Sequence, residues 1–356
     1  MSTPSPRRFP LGVPFAVLVL TALVALTGCS AAESAGPALA ADAPLPASVP
    51  EGTKLIVGDP STKVALQLSG ELDKFSFDIE WANISGGPQT TEAFRADALD
   101  VGAVAEIPAI HATWTGLPVK IVASKFRVDP IGHPIYQLGV APGVSVASIA
   151  DLRGKKIAYS PGQAQGALIL RVLKQAGLTK EDVELIELPS TGDVYPSALA
   201  GRQVDVAPLG GVNISRYLTK YGPDGATTIP HGLRDDPSHL YVRTETLEDA
   251  GKAAAIAEYV AAWGRATKWV YEHPQEWIDG YYVADQGLSK EDGQYLVDAA
   301  GEPDVPADWT DVIARHQETI DLLAAETGND AIKADDLYDR RYEKLGAEAY
   351  GSGGQG

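Results

Sequence analysis

The clearest alternation of secondary-structure signals lies in residues 148–178, SIADLRGKKIAYSPGQAQGALILRVLKQAGL. Its apolar pattern predicts a helical turn over residues 148–153, a short strand over residues 156–159 and a helix over residues 164–176. A strand that leads directly into a helix is the repeating unit of α/β proteins, in which helices cover a mostly parallel sheet. The stretch therefore predicts an α/β fold.

Both ends of the predicted helix carry residue types that begin and end helices. Ser160 and Gln163 have the spacing of a capping box, and Pro161 would occupy the first helical position. Gly177 is the residue type that most often caps a carboxyl end. We therefore expect a well-defined helix with Ser160 as its N-cap.

The same alternation of strands and helices extends over most of the chain. Short helices over residues 89–98 and 196–200 each lead into a strand that begins Asp-Val, so residues 91–102 and 195–206 share one pattern. This similarity indicates two related lobes. The further strands are predicted over residues 54–58, 77–81, 100–104, 119–124, 136–141, 183–188 and 204–207.

The carboxyl-terminal third is predicted to be helical. Apolar residues recur at helical spacing from about Leu247 until Pro274, which would end that helix. Two more helices are predicted over residues 290–300 and 308–327. The Gly-rich tail, residues 351–356, is expected to be disordered.

The amino terminus has the composition of an export signal. Two arginines precede an apolar run, residues 15–26, that is short for a membrane span. The run ends in Leu-Thr-Gly-Cys, which resembles a bacterial lipobox. That resemblance implies a signal peptide over residues 1–28 and a lipid on Cys29. The Ala-, Pro- and Ser-rich residues 29–51 are then expected to be a flexible tether, with order beginning near Lys54.

Composition excludes several classes of function. The chain has 356 residues and a formal net charge of −18, a balance that repels nucleic acid and favours a soluble monomer. Cys29 is its single cysteine, so disulfides, cysteine metal ligands and a thiol nucleophile in the folded part are not expected. After residue 28 no apolar run is long enough to cross a membrane.

Three loops are candidate ligand-binding segments because each joins a strand to a predicted helix or follows a strand. In open α/β sheets ligands lie at the carboxyl ends of strands, where helix amino termini offer free N–H groups and a partial positive charge. The candidates are Gly86, Gly87 and Gln89 in the first loop, Ser160 and Gln163 in the second, and Ser61 and Thr62 in the third. The alternatives are a simple Gly-Pro turn for the first loop and a purely capping role for Ser160.

Four further polar residues follow predicted strands. Glu106 comes just after residues 100–104, and a carboxylate there would suit a hydrogen-bond-donating or amino group on the ligand. The other three are Thr191, Asp193 and Asn213. Each could equally be an ordinary surface residue.

One segment gathers histidines and aspartates without the spacing of a metal site. His231, Asp235, Asp236 and His239 match no common zinc pattern, so neither a metal nor any other cofactor is expected. Arg234, in the same segment, could pair with an anionic ligand.

Through several motifs the chain resembles the solute-binding proteins of ABC importers, in the group that binds aliphatic sulfonates, taurine and nitrate. That group is also related to binders of thiamine-pyrimidine precursors. The resemblance covers about residues 54–345, and its most specific part is Ser-Ile-Ala-Asp-Leu-Arg-Gly-Lys-Lys-Ile-Ala at residues 148–158. The other motifs are SGGPQ at 85–89, GLPVKIVA at 116–123, SPGQAQG at 160–166, ALAGRQVD at 198–205 and EHPQE at 272–276.

The resemblance implies a type II periplasmic-binding-protein-like fold, with two α/β lobes joined by a double crossover and a ligand cleft between them. The first lobe would comprise residues 52–138 and 240–350, and the second lobe residues 139–239. The lobes of such proteins close on the ligand by a hinge motion.

The expected function is a lipid-anchored, extracytoplasmic receptor that captures a small anionic or zwitterionic solute, such as a taurine-like sulfonate, for a separate ABC permease and its ATPase. Nitrate and a thiamine-pyrimidine precursor are the alternative ligands. An enzyme on the same fold is a remote alternative, since the chain lacks common catalytic motifs and a thiol-dependent desulfinase would need a second cysteine. A sensor lipoprotein that feeds no transporter is another, and neighbouring permease and ATPase genes would argue against it.

Overall fold

The computed structural model describes residues 38–84 and 86–352, and all of them belong to one compact unit. Their strands form two sheets. The first sheet has six strands in the order β11-β4-β10-β3-β1-β2. Its strands are β1 (Lys54–Gly58), β2 (Asp78–Trp81), β3 (Val101–Val104), β4 (Val119–Arg127), β10 (Ser238–Arg243) and β11 (Pro303–Asp304).

The second sheet has five strands in the order β7-β6-β8-β5-β9. Strands β6, β7 and β8 are parallel, whereas β5 runs antiparallel to β8 and β9. The strands are β5 (Tyr136–Val140), β6 (Lys156–Tyr159), β7 (Glu184–Glu187), β8 (Val206–Gly210) and β9 (Thr227–Ile229). We call the elements around the first sheet the first lobe and those around the second sheet the second lobe.

Helices cover both sheets, as expected for an α/β fold. They are α1 (Pro60–Ser69), α2 (Gly87–Arg95), α3 (Glu106–Trp114), α4 (Ala164–Gln175), α5 (Val194–Ala200), α6 (Val212–Tyr221), α7 (Ala250–Glu272), α8 (Pro274–Trp277), α9 (Lys290–Ala300), α10 (Thr310–Thr327) and α11 (Leu345–Ser352). A π-helical segment, Ile278–Asp285, follows α8, and a short 3-10 helix, Ile149–Leu152, stands where a helical turn was predicted.

One prediction about α4 is wrong and one is confirmed. The helix begins at Ala164, with Gln163 at the N-cap position, so Ser160 lies outside the helix and does not cap it. Gly166 packs closely against the Ser160 carbonyl, where a Cβ would lie only 2.1 Å from that oxygen. At the other end Gly177 has a φ of +66° and its N–H donates to Lys174 O at 3.1 Å, which is the expected cap.

Three helices were missed because the residues after strands were interpreted as ligand loops. They are α1, α3 and α6, and each begins directly behind a strand. In α1 the signal was present in the sequence, since Asp59 caps the helix by accepting from Thr62 N and Pro60 occupies the first position. The amino termini of these helices therefore lie at the sheet edges where the loops were predicted.

The crossovers between the sheets differ slightly from the prediction. All of β5 pairs within the second sheet and all of β10 pairs within the first. The predicted boundaries at 138/139 and 239/240 therefore fall inside strands. The chain passes between the lobes over residues 128–135 and again over residues 230–237.

The described part of the segment that was predicted as a flexible tether is packed against the rest of the protein. Leu39 N donates to Glu248 O at 2.6 Å, and Arg341 Nη1 donates to Ala43 O at 3.0 Å. Leu45 and Val49 pack against the core of the first lobe. The prediction of a tether reaching residue 51 is therefore wrong from residue 38 onward, and a truncated protein for binding studies should keep residues 38–50.

Both chain ends also extend beyond the described residues. The signal peptide, Cys29 and residues 30–37 lie outside them, as do residues 353–356 of the predicted tail. Gly351, predicted as disordered, belongs to α11. Within the described ranges no helix is both long and apolar enough to span a membrane.

Candidate functional site

Two adjoining cavities lie between the lobes, at the edges where the predicted binding loops were placed. Strands β1, β3 and β4 of the first sheet end at one edge, and strands β6 and β8 of the second sheet end at another. Cavity A, about 930 Å³, lies against the first edge, and cavity B, about 400 Å³, lies against the second. Because they share the lining residues Ile135, Tyr281, Tyr282 and Leu296, they are two halves of one cleft.

Ser61 and Thr62 line cavity A, but the Ser61 hydroxyl and the Thr62 N–H are engaged within the protein. Ser61 Oγ donates to Asp59 Oδ1 at 3.1 Å, and Thr62 N donates to the same oxygen at 3.2 Å. Tyr259 OH donates to the other Asp59 oxygen at 3.1 Å. The buried carboxylate of Asp59 thus occupies the amino terminus of α1, so this terminus is a poor site for a second anion.

Two cationic side chains at the end of β4 supply positive charge to cavity A. Lys125 is partly buried, with Nζ 5.6 Å from the centre of the Trp263 ring, and it makes no salt bridge with any carboxylate in the described part of the chain. Burial lowers the pKa of Lys125. Arg127 donates to the carbonyls of His133 and Ala299. An anion in cavity A would therefore meet an ammonium group that makes no direct salt bridge within the described residues, although the buried Asp59 carboxylate acts on it electrostatically.

The amino terminus of α6 faces cavity B. Gly211, Val212 and Asn213 line it, and Asn213 Nδ2 donates to Gly192 O at 3.0 Å. Gly211 has φ +57° and ψ −140°, a conformation that only glycine adopts without strain. Unlike the terminus of α1, this one has no side-chain cap, so its N–H groups are oriented toward the cavity without a carboxylate in place.

The loop around Ser160 supports cavity B without lining it. Gln163 Oε1 accepts from Ser190 Oγ at 2.7 Å and from Ser190 N at 3.3 Å, and Ser190 itself lines the cavity. Ser160 is buried, and its Oγ, near the Tyr195 hydroxyl, makes no hydrogen bond of normal geometry to a described residue. Gln163 therefore positions a lining residue rather than contacting the cavity.

An aromatic wall from the end of α8 and the π-helical segment joins the two cavities. Tyr281 and Tyr282 line both, and Trp277 lines cavity A. The Trp277 and Tyr281 rings stack with centres 4.3 Å apart and an interplanar angle of 16°. Burial raises the pKa of Tyr281 to about 12, so its hydroxyl stays protonated near neutral pH and the ring is uncharged.

Glu106 lies outside the cleft cavities. It is the first residue of α3 and lines a separate cavity C of about 20 Å³. Its Oε1 accepts from Arg171 Nη1 at 3.4 Å and from Thr319 Oγ1 at 3.3 Å. Burial raises the pKa of Glu106, and Arg171 offsets part of that effect. The carboxylate that was expected to face the ligand instead pairs with an arginine of the second lobe.

Five other predicted site residues line neither cavity A nor cavity B. A Cβ on Gly87 would lie 2.3 Å from Pro108 Cγ, so this glycine is required for the close packing of α2 on α3. The remaining four are exposed at the surface: Gly86, Gln89, Thr191 and Asp193.

The histidine- and aspartate-rich segment is a structural crossover. His231 Nε2 lies 3.1 Å from Asp235 Oδ2, and Arg234 Nε donates to Asp236 Oδ1 at 2.9 Å. Asp235 and Asp236 in turn accept from backbone N–H groups of residues 135, 136 and 127. Among the described residues no cluster of three or more potential ligands could hold a metal ion.

Several lining residues were missed by sequence reasoning. Lys125 and Arg127 were missed because β4 was predicted to end at residue 124, three residues too early. Gly210 and Gly211 carried the same signal as Gly86 and Gly87, a glycine pair ahead of a helix. Tyr281 and the rest of the aromatic wall carried no comparable signal, since aromatic residues near a helix end usually pack in a core.

Two α/β lobes, each with its strand ends facing a shared cleft, define the periplasmic-binding-protein fold. A solved structure with this fold, the periplasmic aliphatic sulphonate binding protein SsuA from Escherichia coli, matches with a TM-score of 0.68 and 22% identity over 81% of this chain and 92% of that one. The alkanesulfonate-binding protein SsuA from Xanthomonas axonopodis, bound to MOPS, matches with a TM-score of 0.63 and 21% identity, covering 85% and 99%.

A family model described as NMT1/THI5 like matches residues 77–277. The chain belongs to the NMT1/THI5-like family. A putative aliphatic sulfonates-binding protein of Escherichia coli is 33% identical over 106 residues, which cover 30% of this chain. The chain spans only 32% of that relative's length in this match and 40% in matches to putative binding proteins of Brucella.

Proposed function

We propose that this protein is the solute-binding component of an ABC importer and that it binds one sulfonate in the interlobe cleft. The observation that carries the proposal is Lys125, an ammonium group in cavity A that makes no direct salt bridge with a carboxylate of the described residues. The uncapped amino terminus of α6 offers further N–H donors in cavity B. A sulfonate has three oxygens that can accept from these groups.

The relatives support this ligand class. Proteins described as sulfonate-binding recur among the matches, both by sequence and by structure. Our proposal further includes that the protein works as a monomer and delivers its solute to a separate permease and ATPase. The specific expectation of an amino-sulfonate loses its support, because Glu106 pairs with Arg171 outside the cleft.

The alternative ligands fit the cleft less well. Nitrate has four heavy atoms and would leave most of cavity A unfilled. A thiamine-pyrimidine precursor could stack on Tyr281 but would leave the charge of Lys125 without a partner. The remote enzymatic alternative has no thiol to use, since none of the described residues is a cysteine.

A thermal-shift screen tests the proposal directly. The chain lacking residues 1–37 is heated with ethanesulfonate, taurine, hexanesulfonate, naphthalenesulfonate, nitrate or an aminopyrimidine. We expect at least one sulfonate to raise the melting temperature in a concentration-dependent manner, because a ligand that binds only the folded state stabilises it. If nitrate or the pyrimidine alone stabilised the protein, that compound and not a sulfonate would be its ligand. No stabilisation by any compound would refute the proposed class.

We further propose that the protein is exported and anchored through a lipid on Cys29. The proposal rests on the Leu-Thr-Gly-Cys motif that ends the apolar segment. Cys29→Ser is expected to move the protein from the membrane fraction to the soluble extracytoplasmic fraction. Ser34→Ala, five residues downstream, should leave it in the membrane fraction. A Cys29→Ser protein that stays membrane-bound would show that the cysteine is not the anchor.

A further inference from the structure

The cleft is larger than a two-carbon sulfonate requires. Cavity A alone has a volume of about 930 Å³, near the upper end of the roughly 300–1,000 Å³ that is typical of pockets for drug-sized ligands. Cavity B adds about 400 Å³ and is continuous with it. A ligand of the size of taurine would contact only a small part of this lining.

The volume does not arise from separated lobes, because ion pairs join the lobes on both sides of the cleft. On one side Arg171 of α4 pairs with Glu106 of α3 at 3.4 Å, and Lys180 pairs with Glu326 of α10 at 2.9 Å. On the other side Arg216 of α6 pairs with Asp292 of α9 at 2.7 Å. The lobes are therefore already in contact around a cleft that stays partly open to solvent.

The lining of cavity A includes aromatic and apolar residues as well as the carboxylates of Asp129, Asp236, Asp298 and Glu302. The rings of Tyr281 and Tyr282 face both cavities, and the buried Trp277 behind Tyr281 fixes the orientation of that ring. Val128 and Tyr271, at the outer part of cavity A, are 60% and 47% exposed although they are apolar or aromatic. They add apolar surface to the lining of cavity A.

We propose that the ligand is a sulfonate with a bulky aromatic body, whose head contacts Lys125 and whose flat body stacks on Tyr281, with the tilted ring of Tyr282 beside it. This inference rests on the proposed function and narrows its ligand class. The head and the body have separate partners, since the cation lies at the end of β4 and the aromatic wall lies on the end of α8 and the π-helical segment. A taurine-like ligand would contact Lys125 and leave the aromatic wall without a contact.

Isothermal titration calorimetry with a series of sulfonates tests the inference. The head group is constant while the body grows from ethanesulfonate and taurine to hexanesulfonate and naphthalenesulfonate. We expect naphthalenesulfonate to bind about 100-fold more tightly than ethanesulfonate, because its ring buries far more apolar surface. Equal or tighter binding of ethanesulfonate or taurine would overturn this inference and leave the proposed function intact. No binding of any sulfonate would instead overturn the proposed function.

A substitution in the wall separates stacking from simple size. Tyr281→Ala is expected to weaken naphthalenesulfonate binding about tenfold and to leave ethanesulfonate binding unchanged. Tyr221→Ala removes a half-buried tyrosine of α6 that lines neither cleft cavity and should change neither affinity. Equal losses for both ligands in Tyr281→Ala, or no loss for either, would show that the ring does not stack on the ligand body.

Discussion

Replacing Lys125 by methionine is expected to weaken sulfonate binding about 10- to 100-fold. The variant removes a charge-assisted contact worth about 1.5–3 kcal/mol and leaves the length and apolar stem of the side chain in place. Burial lowers the pKa of Lys125 because the charged form is poorly solvated in the folded protein. Removing the charge therefore relieves a cost to folding, and the melting temperature of the ligand-free variant should not fall. A loss of affinity would then reflect the contact and not the fold.

The matched control lies on the same strand. Lys120, five residues earlier on β4, donates its Nζ to Asp336 O at 2.6 Å and lines neither cleft cavity. Lys120→Met is expected to bind sulfonates as the unmodified chain does. Isothermal titration of both variants against the preferred sulfonate measures the difference. If Lys125→Met kept full affinity, or if both variants lost it equally, Lys125 could not be the contact for the head group.

The same lysine predicts how binding depends on pH. Because the pKa of Lys125 lies below the usual lysine value, its ammonium group loses its proton at a lower pH than a surface lysine does. Sulfonate affinity should be full below that depressed pKa and should fall as the pH rises through it. In Lys125→Met this decline should be absent. If sulfonate affinity fell equally with pH in both proteins, a titratable group other than Lys125 would be responsible.

Much of the fold could be predicted from the sequence because its signals are local. The strand over residues 156–159 and the cap at Gly177 depend on neighbouring residues and were predicted correctly. Helix α3 was missed because Glu106 follows a strand and was interpreted from its chemistry rather than from its helical position. The packed course of residues 38–50 could not be predicted, because it depends on hydrogen bonds to Glu248 and Arg341, about 200 to 300 residues away.

The site was predicted less well than the fold, for a related reason. Sequence can indicate which residues follow strands, and Ser61, Thr62 and Asn213 do line the cleft. It cannot indicate which donors remain free, and at α1 the neighbouring Asp59 engages them. Nor can it indicate that Glu106 meets Arg171, 65 residues away, instead of a ligand. Positions facing the cleft follow from topology, whereas the availability of their polar atoms depends on tertiary contacts.

Gly211→Ala is expected to weaken binding at least about tenfold by disturbing the amino terminus of α6. With φ +57° and ψ −140°, this residue would be strained by about 1–3 kcal/mol if it carried a Cβ. Relief of that strain would rotate the peptide that directs the N–H groups of Val212 and Asn213 toward cavity B. It would also disturb the bond from Asn213 Nδ2 to Gly192 O. Both effects act on the cleft. The affinity for the sulfonate should therefore fall by more than the loss of folding stability alone explains.

The control for Gly211→Ala lies beyond the other end of the same helix. Gly225 has a φ of +91°, and a Cβ there would meet only Gly143 N, at 3.9 Å, within 4 Å. Gly225→Ala should therefore lower the melting temperature through backbone strain but leave sulfonate affinity unchanged. Thermal unfolding and calorimetric titration of both variants separate the two effects. If the two variants lost affinity in proportion to their loss of stability, or if Gly211→Ala bound the ligand normally, the amino terminus of α6 would have no direct part in holding the sulfonate.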